Sequence, residues 1–201
     1  EVQNDYVCEK MRERNIIVPV ETTKTAGNNL ASKTKMDYSE ETSGLILPNS
    51  ISSYNLETGT FCEDVRYDIY DDYGNVIQET RKGTPIVYIY GYNNTYPIAK
   101  IVGADYNQVR EILGVANIQN NADEIIQDVG WQLGMREQLK NNLPDALVNT
   151  YTYKPLVGIT SETLPNGNVI YYEYDASGRL ACKKDRNGKV IQQYGYNYKN
   201  R

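Results

Sequence analysis

Four acidic residues and a crowd of tyrosines carry the first chemical possibilities of this chain. Asp71-Asp72 stands between Tyr70 and Tyr73. A carboxyl pair among aromatic faces is the equipment of a glycosidase, in which rings stack the sugar and two carboxyls share the acid and base roles. The spacing argues otherwise. Neighbouring residues of a strand point to opposite faces, and an aspartate that opens a turn is held by its own backbone. A calcium loop from Asp68 to Glu79 would put Asp68, Asp72 and Glu79 at positions 1, 5 and 12, but Tyr70 occupies position 3 and Gly74 arrives one residue late. The chain has no histidine, so the histidine-based nucleophile and base arrangements are absent. Cys8, Cys62 and Cys182 are odd in number and form no C-x-x-C pair, which predicts buried free thiols rather than zinc ligands. The expectation is no catalytic residue, no metal and no cofactor.

The same residues make better sense as turn-makers. Tyr174-Asp175-Ala176-Ser177-Gly178-Arg179-Leu180 echoes Tyr70-Asp71-Asp72-Tyr73-Gly74-Asn75-Val76, and the two copies run on to Tyr194-Gly195-Tyr196 and Tyr90-Gly91-Tyr92. A phrase that returns at a stride marks a supersecondary unit built more than once. Gly167, Gly178 and Gly188 each close a turn, and Asp175 and Asp185 open two of them. Aspartate first and glycine fourth is the signature of a type I turn followed by a left-handed bulge position. Between the turns, period-2 alternation places Ile170, Tyr172 and Tyr174 on one strand face. By the same rule Tyr88, Tyr90 and Tyr92 share a face, as do Tyr194, Tyr196 and Tyr198, so these two rows are candidate binding faces. Lys183-Lys184 reads as a solvated strand edge. Pro85 lacks a donor and predicts an edge or the first residue of its strand.

In the middle the period changes. Asp105 is a plausible N-cap, with Val109, Ile112, Leu113 and Ala116 at helical spacing behind it. A second helical stretch runs from about 123 to 140, through Gly130, Trp131 and Gly134, and Leu143-Pro144-Asp145 closes it. Trp131 is expected to pack this insert against the sheet. Residues 20–66 read as antiparallel strands, with a loop at 24–29 and an ambiguous apolar run at 16–20. The predicted fold is mainly β. It is an antiparallel meander or curled sheet of hairpin repeats forming one module over 1–201, with an inserted helical pair at about 105–145.

Composition narrows the partners. The net charge is −5 with no basic stripe, which excludes ordinary nucleic-acid binding, and no apolar run approaches a membrane span. Nineteen tyrosines against one Phe and one Trp suit a sheet whose faces are half in water and half in core.

The phrase Tyr172-Glu173-Tyr174-Asp175-Ala176-Ser177-Gly178-Arg179-Leu180 resembles the YD repeat, also called the RHS repeat. Tyr172, Tyr174, Asp175, Gly178, Arg179 and Leu180 carry the resemblance, with Gly188 in the following turn. The middle copy keeps Tyr70, Asp71 and Gly74 but has Asn75 and Val76 in place of Arg and Leu. The chain is similar to the C-terminal region of large bacterial RHS-like proteins. The resemblance implies a structural role in a large secreted or cell-surface protein, whose repeats form long β-ribbons that curl into shells. The implied partner is the remainder of a larger parent chain. Binding of carbohydrate or a surface protein on the tyrosine rows is the alternative. The arginine- and tyrosine-rich motif that precedes the variable domain of toxin-carrying members is lacking.

Overall fold

The computed structural model describes residues 2–114 and 129–197. It is an open antiparallel meander: a 12-stranded sheet whose strands lie side by side in the order of the sequence. The strands are β1 (Glu21–Ala26), β2 (Asn29–Glu40), β3 (Ile46–Asn55), β4 (Thr60–Tyr70), β5 (Val76–Arg81), β6 (Thr84–Gly91), β7 (Tyr96–Val102), β8 (Leu147–Lys154), β9 (Gly158–Thr163), β10 (Val169–Tyr174), β11 (Leu180–Lys184) and β12 (Val190–Gln193). Among the described residues three helices accompany them: α1 (Val2–Glu13), α2 (Tyr106–Leu113) and α3 (Val129–Asn142). The chain divides into two compact units, Glu1–Ile86 and Val87–Arg201.

The first unit has long strands and little buried apolar surface. Val7, Met11, Val65 and Ile86 are its buried apolar side chains among the described residues. Helix α1 was not legible in the sequence. It ends through Asn15 in the left-handed region, with Ile16 N–H donating to Met11 C=O at 2.8 Å. Lys10 and Arg14 both pair with Glu40 at the end of β2, and Arg14 also donates to Gly44 C=O. The expected loop at 24–29 is a strand end and a two-residue turn, because Gly27 at φ 62° lets Ala26 pair directly with Asn29. The turn at Lys82-Gly83 has positive φ at both residues, the primed geometry that matches strand twist.

The second unit holds the core. Val87, Ile89, Ile98, Ala99, Ile101 and Val148 of β6–β8 meet Val109 and Leu113 of α2 and Met135 and Leu139 of α3. Helices α2 and α3 both lie in the β7–β8 connection, where the change of period predicts them. Asp105 caps α2 as expected, accepting from Gln108 N–H at 3.0 Å while the Gln108 side chain accepts from Asp105 N–H. Ala116, residues 123–128 and Tyr198 lie outside the described residues, as does the Trp131 side chain. Arg136 of α3 is buried and donates to the carbonyls of Val148 and Pro165, which fastens the helix to β8 and to the turn after β9. Burial pushes its guanidinium below the usual arginine range.

Truncating Ile98, fully buried at the centre of this cluster, is expected to cost about 2–5 kcal/mol. Chemical denaturation of Ile98→Ala, followed by tyrosine fluorescence, measures it.

Candidate functional site

Five turns share one hydrogen-bond frame. In Glu41–Leu45, Asp71–Asn75, Leu164–Asn168, Asp175–Arg179 and Asp185–Lys189, the first N–H donates to the fifth C=O and the fourth N–H, a glycine's, donates to the first C=O, all at 2.8–3.1 Å. The glycines sit at φ 74–88°, where a side chain would be strained. The residues flanking each turn pair across it: Glu40 with Ile46, Tyr70 with Val76, Thr163 with Val169, Tyr174 with Leu180, Lys184 with Val190.

Where aspartate opens the frame, its carboxylate fills the turn. Asp71 Oδ1 accepts from Tyr73 N–H and Asn75 N–H at 3.0 and 2.7 Å. Asp175 Oδ1 accepts from Ser177 and Arg179 N–H at 2.8 and 3.0 Å, and Asp185 Oδ1 from Asn187 and Lys189 N–H at 2.9 Å each. Arg179 adds an ion pair to Asp175 at 2.6 Å. The side-chain bond from Arg179, then its N–H, holds the Asp175 carboxyl below its usual range. The frame at Glu41–Leu45 was missed in the sequence because its first residue is glutamate; Gly44 was the available signal.

The tyrosines before Asp71 and Asp175 have their own task. Tyr70 OH donates to Pro48 C=O at 2.6 Å and Tyr174 OH to Ile159 C=O at 2.9 Å. Tyr153 OH donates likewise to Pro97 C=O at 2.8 Å and Tyr196 OH to Leu180 C=O at 3.0 Å. Three of these carbonyls directly precede a residue skipped by the ladder: Asn49, Thr160 and Ala181 are unpaired between Pro48 and Ser50, Ile159 and Ser161, and Leu180 and Cys182. A β-bulge disrupts the ladder locally, and the tyrosine hydroxyl supplies a donor beside the disruption. Tyr174 crosses directly over Gly158, where an added Cβ would lie 2.4 Å from its hydroxyl oxygen.

The two candidate tyrosine rows are not strand rows. Tyr88 and Tyr90 do share the half-buried face of β6. Tyr92 does not: it has left the strand, stands at φ 53° with Asn93 and Asn94 also left-handed, and is 5% exposed. Its hydroxyl accepts from Tyr153 N–H at 2.8 Å and donates to Tyr153 C=O at 3.2 Å, taking the place of a strand partner. Its ring meets Tyr96 and Tyr153 edge-on at 5.6 Å, and those two stack at 4.8 Å. Strand β12 ends at Gln193, so Tyr194 and Tyr196 are not on a strand, and the Arg179 guanidinium lies 4.5 Å from the Tyr196 ring. Of the other residues that carry the resemblance, Tyr172 OH donates to Glu162 at 3.0 Å, Gly178 and Gly188 are left-handed, and Leu180 opens β11.

Other expectations are corrected. The cysteines are free, but Cys62 is exposed and Cys8 and Cys182 half-buried. Lys183-Lys184 lies on β11, between β10 and β12 rather than at an edge, with Lys184 paired to Glu173 at 2.6 Å. Pro85 is the second residue of β6, also an interior strand. The residues weighed for calcium are engaged elsewhere: Asp68 accepts from Arg66, Gln78 and Thr80, and Glu79 from Arg81.

No protein-family model matches the chain and no curated protein matches it. Solved structures are similar at a distance. A structure of TcdB2-TccC3 without its hypervariable C-terminal region shares 12% identity over 93% of this chain and 10% of that chain, with a TM-score of 0.41. A Photorhabdus luminescens Tc holotoxin pore shares 11% over 93% and 10%, with a TM-score of 0.40. The chain thus spans about a tenth of the length of these chains. The strand order and registers above stand independently of that likeness.

Two outcomes follow from this geometry. Tyr153→Phe leaves the Pro97 carbonyl without its donor and should lower stability by roughly 1–2 kcal/mol, measured by urea denaturation. Burial, then the bond to Glu162, pushes the Tyr172 hydroxyl up from the ordinary 10.0 to about 12. A raised folded-state value means that this contribution is full below pH 10 and lost as pH rises toward 12. Alkaline unfolding of Tyr172→Phe should therefore fall less steeply across pH 10–12 than that of the wild-type chain.

Proposed function

We propose that the chain is a non-catalytic structural module built from YD-type hairpin repeats, part of a large bacterial protein that acts outside the cytoplasm. The observation that carries this reading is the recurrent unit itself. A tyrosine donates to the carbonyl beside the preceding bulge, and the next residue, aspartate, fills the following turn. The residues that looked most like chemistry are consumed by this construction. Asp71, Asp175 and Asp185 each spend one carboxylate oxygen on two backbone N–H groups. Burial raises the Tyr70, Tyr153 and Tyr174 hydroxyls, so they serve as neutral donors rather than bases.

Membership of a longer sheet is supported by the ends of the strand order. β1 and β12 each have one strand neighbour and are exposed along their whole length. An unpaired edge is a template for another strand, and a parent chain would cover it with the next hairpin. No helix among the described residues is long and apolar enough to cross a membrane. The alternative, binding of carbohydrate or protein on the tyrosine rows, has less support: Tyr92 is buried, and the ring of Tyr196 already faces the Arg179 guanidinium.

Hydrogen exchange on this chain alone and on the longer reading frame that contains it tests the proposal. The β1 amides should exchange fast in the isolated chain and become protected in the longer one. Equal, fast exchange in both would overturn it. Protease treatment of intact cells expressing the parent should cleave it; full protection would sink the external location.

A further inference from the structure

Beside the tyrosine cluster of the second unit lies a cleft of about 430 Å³, within the size range of small-ligand sites. Its lining breaks the rule of alternation. Thr152 and Tyr153 are consecutive on β8, Thr160 and Ser161 are consecutive on β9, and all four border the same cleft. In a regular pair, one of each would face away. The extra residue Thr160, opposite the Thr152–Tyr153 step, puts Thr160 and Ser161 side by side on β9.

The inner wall is a chain of three hydroxyls. Thr152 Oγ1 lies 2.8 Å from Thr160 Oγ1 and 2.5 Å from Ser161 Oγ. Thr152 and Ser161 are each only 6% exposed. Three hydroxyls carry three protons, and the two contacts among them use two. One donor and several lone pairs therefore remain for a molecule in the cleft. Thr152 and Ser161 are also direct cross-strand partners, and the cluster they form with Thr160 borders the cleft.

The outer wall supplies the rest. Tyr153 presents aromatic surface, and Tyr171 stands at the mouth, 39% exposed. Lys154 is the charged residue of the lining. Neither Tyr171 nor Lys154 has a side-chain partner among the described residues, in a chain where other lining tyrosines are bonded. Hydroxyls to exchange donors and acceptors, rings to cover a C–H face and one ammonium group suit a small polyol ring that carries an anionic group.

We propose that this cleft binds a saccharide unit bearing a carboxylate, with the Thr152–Thr160–Ser161 hydroxyls on its ring hydroxyls and Lys154 on its carboxylate. This role is separate from the scaffold role and does not rest on it. The scaffold positions the site through the Tyr92–Tyr153 bonds, and the bulge creates it.

Amide-resolved NMR titration of the whole chain with sodium glucuronate and with methyl glucoside tests the proposal. Glucuronate should give saturable shifts at the cleft amides in the millimolar range, about tenfold tighter than methyl glucoside. Lys154→Gln, an exposed change, should bring the two ligands to equal affinity. Thr160→Val should weaken both while leaving the Lys154-dependent preference. Absence of saturable shifts, equal affinity of the wild type for the two ligands, or an unchanged preference in Lys154→Gln would each overturn it. If Thr160→Val loses its dispersed spectrum, the Lys154→Gln comparison alone decides.

Discussion

The architecture depends on a backbone problem that several hairpins create and a neighbouring tyrosine solves. A type I turn followed by a left-handed glycine joins two strands compactly. After two of these turns an extra residue in the returning strand, Asn49 or Ala181, is skipped by the ladder, and Thr160 is skipped in the same way after the different turn between β8 and β9. A carbonyl beside such a break needs a donor or water. Tyrosine reaches it from the neighbouring strand: its ring lies along the sheet and its hydroxyl ends at the carbonyl. Phenylalanine could supply the ring but not the proton, which gives a physical reason for tyrosine at positions 70, 174 and 196.

The same rule explains how the chain tolerates a large insertion. Helices α2 and α3 occupy the β7–β8 connection, yet Tyr153 still donates to Pro97 across 56 residues of sequence. Loop length costs little once the ends are fixed. Tyr92 fixes them further by bonding both backbone groups of Tyr153. Three successive left-handed residues at 92–94 are unfavourable for L-amino acids, and for a tyrosine especially. The buried ring and its double hydrogen bond offset that strain, so the turn and the tyrosine cluster exist because of each other.

Much of this was legible in residues and spacing. Asp followed three positions later by Gly identified the turns at 71–74, 175–178 and 185–188, because both types have a local backbone reason to be there. Asp105 with its helical-period apolar residues announced α2 for the same kind of reason. What was hidden is what depends on register. Alternation counted Tyr92 as the next member of a strand row, but the left-handed turn removes it from the strand. β12 stops before Tyr194 for want of any buried face: its four residues are all exposed. Helix α1 carries no cap or strong apolar stripe that would separate it from a loop, and its attachment through Glu40 is long-range. The hydroxyl cleft was invisible because consecutive threonine and serine residues look like two opposite faces until a bulge turns them together.

That last point bears on how such a scaffold could acquire a site. A regular meander offers flat faces, on which alternating side chains are spread about 7 Å apart along each strand. A bulge places adjacent residues side by side and opens a concavity next to them. Where a hairpin carries a bulge, as the β2–β3, β4–β5, β8–β9 and β10–β11 pairs do, a cleft can form without changing the strand order. At the β8–β9 hairpin, Tyr153, Thr152, Thr160 and Ser161 occupy that position. The irregularity that obliges the chain to employ a tyrosine as a carbonyl partner is thus the same irregularity that gathers polar groups into one place.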